Sequence, residues 1–150
     1  MKGLTPLLIV VPDDFPPALT GSSAEPRLRA LGEVTIHTER GADQEVELIR
    51  RIGDAEVVVN IRAHAHFTDR VLRSAARLRL ISIWGTGVDN VDLEACRQRG
   101  VMVTNTPGVN ADAVAEHTIA LMLAVMPIVP TRRAPCRIGS VPMPVEIRMP

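Results

Sequence analysis

The apolar residues of this chain fall into short runs that alternate with segments of helical spacing. Five short runs rich in β-forming residues predict strands at Leu7–Val11, Val34–Thr38, Glu56–Asn60, Leu78–Trp84 and Val101–Asn105. Capping residues, helical spacing and terminal glycines predict helices at Glu25–Leu31, Asp43–Ile52, Thr68–Ala76, Asp92–Arg99 and Asp112–Met126. The third strand contains three consecutive valines, which is typical of a strand buried on both faces.

Strict alternation of strands and helices predicts an α/β fold with a parallel sheet and right-handed crossovers. The most economical topology is flavodoxin-like and doubly wound, with five strands in the order 2-1-3-4-5 and ligands near their carboxyl ends. We expect residues 1–126 to form this domain. Residues 127–150 hold six of the twelve prolines and four arginines, so we expect a disordered tail there, with a proline-rich docking segment as the alternative.

Composition excludes several classes of partner. Lys plus Arg and Asp plus Glu both number 17, and the chain has one Trp, two Phe and no Tyr, which argues against nucleic-acid binding. The longest uncharged apolar run, 119–129, is shorter than the roughly 20 residues that span a bilayer, so we expect a cytoplasmic protein without membrane contact. Cys96 and Cys136 are predicted to be reduced thiols. His64 and His66 form a His-x-His pair, but no neighbouring ligands accompany it, and we predict no metal site.

A glycine-containing string, 85–87, follows a predicted strand and precedes a predicted helix. It is similar to the dinucleotide-binding pattern GxGxxG, but Asn90 replaces the third glycine and no acidic residue follows between 101 and 109. The string is therefore not predicted to bind a pyrophosphate. Bare backbone N–H groups at a strand's carboxyl end suit a small anion such as a carboxylate. A tight turn that needs glycine fits the spacing equally well.

Three strings in register carry a family resemblance. They are LRLISIWGTGVDNVD at 78–92, GVMVTNTPG at 100–108 and AEHTIALML at 115–123. Together they resemble the D-isomer-specific 2-hydroxyacid dehydrogenases, most closely those of the phosphoglycerate dehydrogenase type. The resemblance covers residues 5–126 and implies the amino-terminal part of that family's flavodoxin-like substrate-binding domain.

The resemblance also implies a binding site for a small 2-hydroxy or 2-oxo acid. In the family the glycine loop, here Gly85, Thr86 and Gly87, offers backbone N–H groups to the substrate carboxylate, which maps to Thr86 and Gly87. Arg62 matches an arginine that helps bind the acid, while Ala63 replaces a hydroxyl residue that often follows it. Thr86 also matches a position close to the nicotinamide of NAD(H).

Catalysis in the family needs a Rossmann domain with GxGxxG, and beyond it an arginine, a glutamate and a histidine. No second glycine-rich unit follows residue 126 in this sequence, and none of its four histidines matches the proton-transferring one. We therefore expect a truncated fragment without catalytic residues, inactive alone and binding no NAD(H). The helix at 112–126 matches the family's crossover helix and is apolar nearly all round, so we expect self-association through it.

Two other functions fit parts of the sequence. A phospho-receiver domain would place two acids after the first strand, as Asp13 and Asp14 are placed, and a hydroxyl at Thr86. Its phosphate-accepting aspartate is replaced by Asn60, however, and the only lysine is Lys2. A non-catalytic module for small-anion binding or dimerisation is the other alternative.

Overall fold

The computed structural model describes residues 6–125. Five strands and five helices alternate in the order β1 (Leu7–Val11), α1 (Ala24–Arg29), β2 (Gly32–Ile36), α2 (Glu45–Ile52), β3 (Val57–Asn60), α3 (Asp69–Ser74), β4 (Leu80–Ile83), α4 (Leu93–Arg99), β5 (Met102–Thr104) and α5 (Ala111–Val125). Every predicted element is present, with its ends shifted by at most two residues. The tail predicted at 127–150 lies outside the described residues.

All five strands are parallel and follow the order β2-β1-β3-β4-β5, which confirms the predicted topology. In the central register Val58 pairs with Val10 on one side and with Ile81 on the other. Because the strands are parallel, the loops that follow β1, β3 and β4 all leave from the carboxyl ends of the strands, on the same side of the sheet. The candidate site lies at these carboxyl ends.

The two faces of the sheet are covered unequally. Val58 and Ile81 are fully buried in a core cluster with side chains of α2, α3 and α4. Val57 and Val59, which point to the other face, are only half-buried. The prediction that the valine run is buried on both faces was therefore wrong, because α1 has only six residues, buries none of them and packs beside the edge strand β2.

Local signals set most helix ends. The side chains of Thr68 and Asp92 accept hydrogen bonds from the first turns of α3 and α4, as N-caps do. Gly32, the glycine that follows the predicted helix at 25–31, begins β2, where an added Cβ would lie 2.2 Å from the carbonyl oxygen of Leu7. Glycine there permits the close pairing of β1 and β2. Asp112, the first residue of the last predicted helix, lies within the first turn of α5.

The chain divides into two compact units after Asp112, and nearly all of α5 belongs to the second unit. Its large apolar side chains are exposed: Val114, Ile119, Leu121, Met122, Leu123 and Val125. Among residues 6–125 no helix has both the length and the apolar character needed to cross a membrane.

Candidate functional site

A pocket of about 240 Å³ opens at the carboxyl ends of β3 and β4. The loops that follow these two strands form its wall, with Asn60, Ile61, Arg62, Ala63, His66, Ile83, Trp84, Gly85, Gly87, Asp89 and Asn90. Three of the predicted site residues, Arg62, Gly85 and Gly87, therefore line one pocket. Thr86 lies between the two glycines but is not part of the lining.

The orientation of the glycine loop follows from its carbonyl groups. The carbonyl of Gly85 accepts a hydrogen bond of 2.8 Å from the backbone N–H of Thr106, and the carbonyl of Thr86 accepts one of 2.8 Å from Asn105 Nδ2. In a trans peptide the C=O and N–H groups point in opposite directions. The N–H groups of Thr86 and Gly87 therefore point away from the loop after β5, and neither donates to any group among residues 6–125.

The conformation of this loop does not itself require glycine. Five glycines within the described residues have positive φ, and neither Gly85 nor Gly87 is one of them. A Cβ added at Gly85 would meet none of the described atoms within 4 Å, and one at Gly87 would lie 3.3 Å from Asp89 Oδ2. Of the two interpretations that the spacing left open, this geometry favours an open backbone surface that a ligand approaches closely.

The Arg62 side chain reaches across to the loop after β1 and keeps one donor unused. Its Nη2 donates to the carbonyl oxygen of Pro16, which anchors the guanidinium. Its Nε is buried and has no partner within the described residues. Since buried donors are almost always hydrogen-bonded in native proteins, this N–H group is a candidate donor to a molecule bound in the pocket.

Asn60, the last residue of β3, is a second pocket residue with an unused polar atom. The residue is only 2% exposed, and its Oδ1 has no hydrogen-bond partner within residues 6–125. Its backbone carbonyl is engaged, because it accepts from Trp84 N at 2.9 Å. In the sequence this residue stands out only because it replaces the phosphate-accepting aspartate of a receiver domain. The one feature of the sequence that could have singled it out is a polar amide side chain at the end of an apolar strand.

Asn90 ties the two walls of the pocket together. Its Nδ2 donates to the carbonyl of Ala65 at 2.7 Å, and its own carbonyl accepts from Phe67 N at 2.8 Å. The side chain is buried where a dinucleotide-binding loop has its third glycine. Moreover, α4 begins only at Leu93, six residues after Gly87, so the loop does not run directly into a helix N-terminus. These residues do not fit a pyrophosphate, and Thr86 as a neighbour of the nicotinamide stays a prediction.

Asp14 holds the loop after β1 by saturating its carboxylate. It accepts hydrogen bonds from the backbone N–H groups of Ala18, Leu19 and Thr20 and from the Thr20 hydroxyl, at 2.7–3.0 Å. Burial raises the pKa of Asp14, but these hydrogen bonds outweigh it and hold the pKa below its ordinary value. The carboxylate therefore has a structural role in this loop.

Asp13 connects three loops beside the pocket. It accepts from the N–H groups of Phe15, Gly41 and Ala42 at 3.0–3.3 Å, and its Oδ2 lies 3.0 Å from His64 Nε2. Burial raises the pKa of Asp13, but the contact with His64 and the backbone hydrogen bonds bring it below its ordinary value. Residues 6–125 contain no group of three or more potential metal ligands. The two aspartates thus serve loop structure, which removes the main support for a receiver domain.

Comparison with known proteins identifies the family. Residues 15–141 match the model of the D-isomer specific 2-hydroxyacid dehydrogenase catalytic domain. D-3-phosphoglycerate dehydrogenase of Methanocaldococcus jannaschii is 38% identical over 113 residues, and glyoxylate reductase of Pyrococcus furiosus is 34% identical over 92 residues. The TT0316 protein of Thermus thermophilus superposes with a TM-score of 0.67 at 36% identity, covering 78% of this chain and 35% of its own.

This chain belongs to the D-isomer specific 2-hydroxyacid dehydrogenase family and represents part of its catalytic domain. The match with the M. jannaschii enzyme covers 75% of this chain but 21% of that enzyme, and the match with the P. furiosus enzyme covers 61% and 27%. Across these and other curated relatives that it matches, the chain covers between 16% and 27% of the relative's length. The family resemblance expected from the three strings is confirmed.

Proposed function

We propose that the pocket between the β3 and β4 loops binds the carboxylate of a small 2-hydroxy or 2-oxo acid. The observation that carries the proposal is a set of unused donors on the two loops that wall this pocket. The N–H groups of Thr86 and Gly87 and the buried Nε of Arg62 lack partners within the described residues. Hydrogen bonds from such donors to an ionised carboxylate are roughly twice as strong as those between neutral groups.

The proposed role is substrate binding within a larger dehydrogenase reaction. NAD(H) is the cofactor of the full-length family and supplies the hydride chemistry when bound. The glycine loop does not fit the pyrophosphate of that cofactor, so the part assigned to this chain is to bind and orient the acid. We assign this role to a domain comprising residues 1–126; that boundary and a cytoplasmic location stay predictions.

Tryptophan fluorescence tests this role directly. Trp84 is the only tryptophan, lines the pocket and is 46% exposed, so a bound acid will change its environment. Titration with glyoxylate, hydroxypyruvate and 3-phosphoglycerate should give saturable changes, whereas chloride at equal ionic strength should not. Phosphate serves as a second anion control. A flat response from a folded sample would contradict the proposal.

A matched pair of variants separates the pocket from general charge effects. Arg62→Gln removes a charged donor from the pocket. Arg79→Gln makes the same change just before β4, at the amino-terminal ends of the strands and away from the pocket. Loss of a charged hydrogen bond should weaken acid binding by about 10-fold to 100-fold in the first variant. Equal weakening in both variants would mean that Arg62 does not contact the acid.

We further propose that a second copy of this chain is the partner of α5. Six large apolar side chains of this helix are exposed, and exposed apolar surface of this extent is typical of interfaces. Light scattering should give a mass above that of one chain, and Leu123→Glu should lower it because the charge cannot be buried in an apolar interface. A monodisperse monomer would contradict the proposal.

A further inference from the structure

One face of the sheet lacks the cover that parallel sheets normally have on both sides. Val57 and Val59 of β3 and Leu80 and Ser82 of β4 point to this face and are only half-buried. Met102 of β5, which pairs in register with Leu80, is 64% exposed. We call the surface formed by these five residues the open face.

Two grooves along the open face give it a shape that can accept a helix. One, of about 670 Å³, lies between α1 and the carboxyl ends of the strands and contains Val59 and Trp84. The other, of about 400 Å³, lies at the amino ends and contains Val57 and Met102. Together the grooves follow residues 79–84, which is about 17–20 Å of strand.

Helix α5 has the length and the surface of a helix that packs on such a face. Its 15 residues give it a length of about 22 Å. Its six exposed apolar side chains spread over about half of the helix circumference, which is wider than the stripe of an ordinary surface helix. A broad apolar surface of this kind matches a sheet, which is itself broad and flat.

The charges on the two surfaces are complementary. Arg27 of α1 lines the groove at the carboxyl ends, is exposed, and forms no ion pair within the described part of the chain. Glu116 of α5 is also exposed and without an ion-pair partner among residues 6–125. After Glu116 the helix carries no acidic residue, lysine or arginine. A helix placed with Glu116 beside Arg27 therefore lays its uncharged carboxyl-terminal half along the open face.

We propose that α5 of a second copy of this chain packs on the open face, with its Glu116 beside Arg27. This inference rests on the proposed self-association through α5 and names the surface that receives the helix. Each chain has one open face and one α5, and both are exposed in the single chain. A two-fold symmetric exchange of helices between two copies therefore provides both surfaces with a partner.

Charge reversal tests the contact between the two copies. Arg27→Glu and Glu116→Arg each place like charges together twice in the dimer, so each variant should self-associate about 10-fold to 100-fold more weakly in sedimentation or light scattering. In an equal mixture of the two variants, both contacts of the heterodimer again join opposite charges. Its affinity should return to within about 3-fold of the wild type. Arg70→Glu, an equal change on α3 at the covered face, should leave association unchanged.

A second pair of variants tests the apolar part of the interface. Leu31 is 65% exposed and lines the groove beside α1, so Leu31→Glu should weaken self-association without disturbing the core. Leu93 is a similarly exposed leucine of α4, at the other face of the sheet. Leu93→Glu should associate as the wild type does.

The outcomes separate this inference from self-association itself. A monomeric wild-type chain would overturn both. A wild-type chain that associates while Arg27→Glu and Leu31→Glu associate equally well would mean that α5 pairs with another surface, and would overturn the assignment of the open face alone. A mixture of Arg27→Glu and Glu116→Arg that associates no better than either variant would mean that the two residues do not meet across the copies, and would overturn the exchange.

Discussion

Two asparagine hydrogen bonds of nearly equal length allow a sharp test of what holds the pocket together. Asn90 Nδ2 donates to the carbonyl of Ala65 at 2.7 Å inside the protein, and Asn105 Nδ2 donates to the carbonyl of Thr86 at 2.8 Å at the surface. Both join a side-chain amide to a backbone carbonyl of a pocket loop. The two hydrogen bonds differ chiefly in burial. Burial decides whether water can bond to the backbone carbonyl once the amide is removed.

In Asn90→Ala the carbonyl of Ala65 is left buried, since Ala65 is fully inaccessible. An unpaired buried acceptor costs about 1–3 kcal/mol, so we expect the free energy of unfolding to fall by about 2 kcal/mol. That is a large share of the roughly 5–15 kcal/mol typical of a domain. In Asn105→Ala water replaces the lost donor, and we expect a change within about 0.5 kcal/mol.

Urea unfolding followed by far-ultraviolet circular dichroism measures both values without relying on Trp84, which is adjacent to the loop. The same samples should show weaker acid binding for Asn90→Ala, because the loops after β3 and β4 are no longer tied. If Asn90→Ala and Asn105→Ala lose the same free energy to within about 0.5 kcal/mol, the argument from burial is refuted.

Three further predictions concern the Asp14 carboxylate, the Cys96 thiol and the oxidation of NADH. The pKa of Asp14 is below its ordinary 3.8 in the folded chain, so the unfolded state takes up protons first as the pH falls. The stability that this carboxylate contributes is therefore lost at acid pH, and the difference in unfolding free energy between the wild type and Asp14→Asn should narrow there. Burial, with a smaller effect of Asp92, raises the pKa of the Cys96 thiol, so it should react with a disulfide reagent only on unfolding. In a Cys136→Ser variant, which leaves Cys96 as the single thiol, rapid reaction of the folded chain would contradict this. The 150-residue chain should not oxidise NADH with glyoxylate or hydroxypyruvate, and a loss of NADH absorbance dependent on both chain and acid would overturn that expectation.

The sheet was predictable because its signals are local. The runs of β1 and β3 and the terminal glycines after α2 and α4 set element boundaries within a few neighbouring residues. The unequal covering of the two faces was not predictable in this way. It depends on how far α1 extends along the sheet, and the valine run carries no information about that helix.

The candidate site was predictable only in part, for a related reason. The glycine loop and Arg62 follow strand ends directly, and the family resemblance pointed to them. The contact between Asn90 and Ala65 spans 25 residues, and that between Asp13 and His64 spans 51, so no spacing pattern reveals either. The missing hydrogen-bond partner of Asn60 Oδ1 can be recognised only from the three-dimensional structure, because it depends on which donors lie near that atom.

The central claim is that the free N–H groups of the glycine loop bind a carboxylate, and amide NMR measures those groups individually. On titration with glyoxylate or hydroxypyruvate, the amide resonances of Thr86 and Gly87 should shift saturably and together, with the affinity that Trp84 fluorescence gives. Those of Ala95 and Cys96 in α4, whose N–H groups already donate to Asp92, should stay in place. Saturable shifts elsewhere in the chain with Thr86 and Gly87 unchanged would contradict the account.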